Sequence, residues 1–226
     1  MEIEKGLFIT FEGGEGAGKS TQIKSLADYL YGLNYKVLTL REPGGTPIGE
    51  ELRHTLKHSN VNVAMFPETE LLLMNASRAQ LVREVIRPSL QEGKIVLCDR
   101  FYDSSTAYQG YGRGLDLNHV KNIIDFAVGD TRPDLTFLIN INPQQSEENR
   151  KTREASLPFQ RDRIEEADRA FFERVYNGFN EIAKSESNRI KVIPYLHGHL
   201  EGMQTTIRDI TRTFMDLNTR EYCTTN

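Results

Sequence analysis

Residues 13 to 21 spell GGEGAGKST, in which Gly13, Gly18, Lys19 and Ser20 satisfy the spacing GxxxxGK(S/T). A loop of this composition turns successive backbone N–H groups inward and closes at a helix N-terminus, which together make a cradle for phosphate. Lys19 is then in reach of the outer phosphates of a nucleotide, and the Ser20 hydroxyl is a magnesium ligand. The candidate cradle is the whole run Gly13, Gly14, Glu15, Gly16, Ala17, Gly18, Lys19, Ser20 and Thr21. Glu15 is its odd member. A carboxylate close to phosphate repels it strongly where water is sparse, so this side chain is expected to turn outward.

Three further stretches carry chemistry. In CDRFYDSSTAYQGYGRG, residues 98 to 114, Asp99 and Arg100 follow an apolar run and could hold a metal and a phosphate respectively; a surface ion pair is the alternative. REPGGT, residues 41 to 46, forces a tight turn that brings the next helix, with Arg53, to the same edge. In the helical pattern over 67–87 one apolar stripe is Leu72, Ala76, Ala79, Val82 and Ile86, and a second is Leu71, Met74, Arg78, Leu81 and Val85. Arg78 interrupts the second stripe and needs a partner or a polar cavity, unless its stem lies along the core with its head in water. Residues 148 to 166, ENRKTREASLPFQRDRIEE, concentrate Arg150, Lys151, Arg153, Arg161 and Arg163 around a helix-breaking LPF. They suit either a solvated helix or a flap that closes over transferring phosphate.

The elements that must position these residues are legible from hydrophobic continuity. Apolar runs at 7–13, 36–42, 94–100, 135–141 and 190–196 are nearly continuous, as expected of parallel strands covered on both faces. Helical spacing fills 19–33, 47–58, 67–87, 117–128, 143–153, 165–185 and 202–217. Alternation of this kind predicts a doubly wound α/β sheet, with ligands beyond the carboxyl ends of the strands. The 226 residues suit one domain with a mobile appendage, and a net charge of -4 argues against polymeric nucleic acid as a partner. No apolar run approaches a membrane span, so a cytoplasmic protein is expected. Cys98 and Cys223 are too far apart in sequence, and too unlike in setting, to suggest a disulfide framework or metal knuckle.

The motifs EGGEGAGKST, REPGGT, ASRAQLV, CDRFYDSSTAYQG and RPDLTFLI occur in the order found in thymidylate kinases, and from the first strand to about residue 185 the chain resembles that family. The resemblance implies a P-loop nucleoside monophosphate kinase fold: a five-stranded parallel sheet flanked by helices, one domain over 1–226, and a small mobile lid near 148–164. It implies transfer of the γ-phosphate of ATP to dTMP, with Mg2+ as cofactor, in a homodimer. By this likeness Lys19, Ser20 and the loop amides hold the ATP phosphates, and Ser20 and Asp99 hold the metal. Arg53 and Arg100 grip the dTMP phosphate, Arg78 and Gln109 read the thymine edge, and Ser105 and Tyr108 line the base and sugar pocket. Glu15 lies near the acceptor's deoxyribose.

Met74 stands where the family usually stacks a phenylalanine on the base, and sulfur gives up ring-on-ring overlap. Some family members carry an arginine at the position of Gly16; this chain does not, which implies the bacterial-type arrangement with catalytic arginines in the lid. Arg153 is the first choice for transition-state charge, with Arg150, Arg161 and Arg163 as the others. Lys19, Arg100, Arg153, Glu15 and Asp99 make up the expected catalytic set. The rivals are another P-loop kinase, acting on a deoxynucleoside or a different monophosphate, and a GTP-dependent regulatory module. The absence of NKxD and DxxG sequences counts against the latter.

Overall fold

The five apolar runs form five parallel strands: β1 (Leu7–Glu12), β2 (Val37–Arg41), β3 (Ile95–Asp99), β4 (Leu135–Asn140) and β5 (Ile190–Pro194). The computed structural model describes residues 6–57, 65–156 and 163–224. Between and after the strands run α1 (Lys19–Gly32), α2 (Pro47–Lys57), α3 (Pro67–Leu81), α4 (Arg87–Gln91), α5 (Tyr102–Ser105), α6 (Leu117–Val128), α7 (Pro143–Ser156), α8 (Arg169–Ser185) and α9 (Leu200–Thr224). The strand order is β2-β3-β1-β4-β5, so the chain departs from β1 in both directions. A crevice opens at such a switch point, beyond the carboxyl ends of the strands. Register fixes what meets there: Phe11 pairs with Asp99, and Asp99 with Arg41.

Alternation along each strand feeds two cores. Ile9, Phe11, Ile95, Leu97, Phe137 and Ile139 pack with α1 and α9, while Phe8, Val96 and Cys98 pack with α3 and α6. A third cluster joins Leu138 to Ala107, Tyr108 and the Phe171, Val175 and Phe179 face of α8. Among the described residues no helix is long and apolar enough to cross a membrane.

Two helical regions depart from the sequence expectation. The helix begun at Pro67 does not stop before Pro88, because a wider π turn at Val82–Ile86 carries it into α4. A π turn shifts the carbonyl partners, which accommodates a proline that lacks an N–H. Its two apolar stripes are not equally internal: Leu71, Arg78 and Leu81 of one, and Val82 and Ile86 at the end of the other, are buried, whereas Leu72 is 55% exposed and Ala76 is exposed. The second departure is α5, which continues as a π turn over Thr106–Gly112. Its hydroxyl and glycine residues carry little helical signal. Tertiary packing decides instead, with Tyr108 edge-on to Phe171 and Phe179 at 6.0 Å each, and a Cβ on Gly112 would come within 2.7 Å of the Phe171 ring.

Candidate active site

α1 begins at Lys19, so the loop from Gly13 to Gly18 lies between the end of β1 and a helix N-terminus. The Lys19 ammonium arches back to donate to the carbonyl oxygens of Gly13 and Gly14 at 3.1 and 3.0 Å. Burial, then the nearby Arg100 charge, holds its pKa below the usual lysine value, against the pull of Asp99, Glu15 and Glu12. Ser20 Oγ donates to Asp99 Oδ2 at 2.7 Å, which brings the two expected metal ligands together. Glu15, Gly16, Gly18, Lys19, Ser20 and Thr21 line a broad cleft of about 1440 Å3 with Arg41, Arg53 and Asp99. Gly13, Gly14 and Ala17 contribute backbone to the loop without lining that cleft.

Arg100 is the hub. It sits at φ 69°, a left-handed conformation that costs a non-glycine residue about 1–3 kcal/mol. Its Nη2 donates to Glu15 Oε1 at 2.6 Å and to the Tyr108 hydroxyl at 3.3 Å, and its Nη1 donates to Ser104 Oγ at 3.0 Å. The guanidinium also lies over the Tyr108 ring, 5.1 Å from its centroid. Burial opposes the charge on Arg100, but Tyr108, Glu15, Asp99 and Glu12 more than restore it. Glu15 therefore faces a cation, Arg100, while still lining the cleft of the cradle. Burial pushes its carboxyl up, yet Arg100, Lys19 and Lys57 together hold it well below the usual range.

Below Arg100 a second cavity of about 500 Å3 is lined by Met74, Arg78, Ser105, Tyr108 and Gln109, with Ile164 and Glu165. All the expected acceptor residues except Arg53 face this one space; Arg53 lines the larger cleft and donates to the Pro43 carbonyl at 2.9 Å. Arg78 is fully buried rather than reaching water. Its nitrogens are engaged by Glu42, Asn75, Ser105 and the Phe101 carbonyl at 2.8–3.2 Å. Glu15, Glu42, Lys57 and Arg100 line both cavities, which therefore meet.

Several groups at the site escaped sequence reasoning. Glu12, at the end of β1, accepts from the backbone N–H groups of Phe101 and Ser104 at 2.8 and 3.3 Å and from the Ser104 hydroxyl at 2.6 Å. It thereby caps α5 from another element, a contact 89 residues apart that no local pattern reveals. Burial, and the like charge of Asp103, push its carboxyl up to about 7. From α7, Ser146 donates to the Glu15 carbonyl at 2.7 Å and Asn149 to the Gly16 carbonyl at 2.9 Å, fastening this helix to the cradle. His197 also lines the larger cleft.

Of the basic flap, Arg150 is buried against the Phe172 ring, paired with Glu147 and donating to the Glu165 carbonyl at 3.2 Å. Arg163 pairs with Glu70. The side chain of Arg153, and Arg161 with the LPF segment, lie outside the described residues.

A sequence profile of the family described as thymidylate kinase matches residues 11–207. A thymidylate kinase of Chlorobium luteolum is 46% identical over 215 residues, covering 93% of this chain and 99% of that one. One from Exiguobacterium sp. strain AT1b is 46% identical over 206 residues, covering 91% and 94%. The crystal structure of thymidylate kinase from Ehrlichia chaffeensis superposes with a TM-score of 0.72 at 34% identity, over 92% of this chain and 99% of that one. With a glycine-rich loop at a helix N-terminus, a second cavity that meets its cleft and this degree of likeness over more than nine-tenths of the chain, the protein belongs to the thymidylate kinase family.

Proposed function

We infer that the chain transfers the γ-phosphoryl group of ATP to the phosphate of dTMP, giving ADP and dTDP, with the nucleotides meeting where the two cavities join. The observation that carries this reading is the shared wall of Glu15, Glu42, Lys57 and Arg100 between the cradle cleft and the smaller pocket. A dTMP phosphate oxygen attacks the γ-phosphorus as the bond to the β-phosphate oxygen breaks, and no covalent enzyme intermediate is needed. The acceptor is already an anion, so catalysis reduces to alignment and charge neutralisation. Lys19 and the loop amides hold the donor phosphates, Arg100 and Arg53 the acceptor phosphate, and Arg153 supplies charge from the lid near 148–164. Glu15 aligns the acceptor from the deoxyribose side. Arg78, Gln109, Ser105, Tyr108 and Met74 enclose the base and sugar.

Ser20 and Asp99 present two hard oxygens on the rim of the cleft, which suits Mg2+ held jointly with phosphate oxygens. Among the described residues no cluster of three or more His, Cys, Asp or Glu could hold a metal. Magnesium there would screen the charge of the transferring group.

We read 1–226 as one kinase domain acting in the cytoplasm as a homodimer. The exposed stripe of Leu72 and Ala76 on α3, with Phe126 on the neighbouring α6, supports self-association. Met74 in place of an aromatic base platform favours a second reading in which acceptor choice is broader than dTMP. Coupled ADP release with ATP and a panel of dTMP, dUMP, dCMP, dGMP and thymidine tests both. We expect dTMP to give the highest kcat/KM; phosphorylation of thymidine without dTMP would overturn the assignment.

A further inference from the structure

Glu70, in the first turn of α3, has no exposed side-chain surface, and three donors from two other segments converge on it. Gln109 Nε2 donates to its Oε1 at 2.7 Å, Arg113 to its two oxygens at 3.4 and 3.1 Å, and Arg163 to Oε2. The two guanidinium groups compensate the buried charge, Arg113 being itself stacked 4.5 Å from the Phe171 ring centroid. An ionised carboxylate can only accept hydrogen bonds. Gln109 must therefore turn its NH2 group toward Glu70, and the amide oxygen is left for the cavity that Gln109 lines.

That orientation has a chemical meaning. A thymine or uracil ring carries an N–H at N3, whereas cytosine carries an acceptor lone pair there and an amino group beside it. A fixed carbonyl oxygen welcomes the first and opposes the second, because two facing acceptors in a buried site leave both unpaired. Arg78, which lines the same pocket, already has its nitrogens engaged by Glu42, Asn75, Ser105 and Phe101.

We propose that Glu70 is a positioning residue for acceptor choice: by holding the Gln109 amide in one orientation it selects a pyrimidine with an N3–H over a cytosine-type base. This rests on the smaller cavity being the acceptor site. The same carboxylate holds Arg163, so the returning end of the lid segment is anchored to the base-reading group.

Glu70→Gln tests the idea, since a glutamine offers Gln109 either a donor or an acceptor and so releases the amide to flip. The ratio of kcat/KM for dTMP to that for dCMP should fall by about tenfold, while the KM for ATP stays within about twofold. A merely structural role would lower both acceptors in proportion and leave the ratio unchanged, which would overturn the proposal. Should Glu70→Gln fail to fold, Glu70→Asp is read by the same ratio, because it keeps the charge for Arg113 and Arg163 but retracts from the amide. In a Gln109→Leu background the Glu70 substitution should have no further effect on the ratio; an equal additional loss there would also sink the idea. Wild-type protein with no activity on dTMP would instead remove the acceptor assignment itself.

Discussion

Arg100 and Glu15 show how two opposite charges fix one another at the site. The pair stands 2.6 Å apart and largely buried, with exposures of 14% and 21%. Neither charge would be tolerated there alone. Ser104 and Tyr108 also hold the guanidinium, so on the proposed reading an incoming phosphate would compete with Glu15 for a cation that need not reorganise to meet it. We predict that Arg100→Ala lowers kcat/KM for dTMP by about a hundredfold or more, with a much smaller change in the KM for ATP. Arg100→Lys should recover little, because a point charge cannot make the forked contacts. Steady-state kinetics with each substrate varied would check this, and a purely ATP-side defect would refute it. The sequence singled out both residues by type. Their pairing was not legible, because 85 residues separate them and only the parallel register of β1 and β3 joins their strand ends.

The segment from α5 through the π turn at Thr106–Gly112 carries Ser105, Tyr108 and Gln109, yet its sequence looks like a loop. Glu12 supplies what the local sequence lacks by accepting the free N–H groups at its start. The cost appears in pH dependence. In the unfolded chain this carboxyl titrates near its ordinary value of 4.5, and in the folded chain near 7. Between these values the folded state holds the extra proton, so stability falls as pH rises through the window and levels off above it. Glu12→Gln removes that proton and also its repulsion of Asp103. Urea midpoints measured between about pH 5 and about pH 7.5 should therefore decline for the wild type and flatten for the variant. Parallel declines would assign the slope elsewhere. Strands, by contrast, were legible almost to the residue: β1, β3 and β4 are buried and need unbroken apolar runs, whereas β2 and β5 at the edges are only partly buried, contrary to the expectation of cover on both faces. The α3–π–α4 continuation was not, because a proline ordinarily ends a helix and nothing local announces a π turn.

For the molecule as a whole, hydrophobic patterning and chain order were enough to give a doubly wound sheet and the edge at which ligands gather. They could not say that Leu72 and Ala76 look outward, because these two open an apolar stripe whose later members, Ala79, Val82 and Ile86, pack inside. The dimer proposed above would cover Leu72 and Ala76. Sedimentation or light scattering should find about twice the 25.8 kDa chain mass, and Leu72→Glu with Phe126→Glu should shift it to the monomer. A wild-type monomer at micromolar concentration would refute this assembly.

The seam between α7 and the cradle bears on what the loop can carry. Gly16 adopts φ 70°, and a Cβ built on it would lie 2.8 Å from the Asn149 Cβ, the very residue that grips the Gly16 carbonyl. An arginine at this position would meet both an unfavourable backbone conformation and an occupied neighbour. In this chain Gly16→Arg should therefore push α7 off the loop unless Asn149 is shortened with it, so the two positions form one fitted seam.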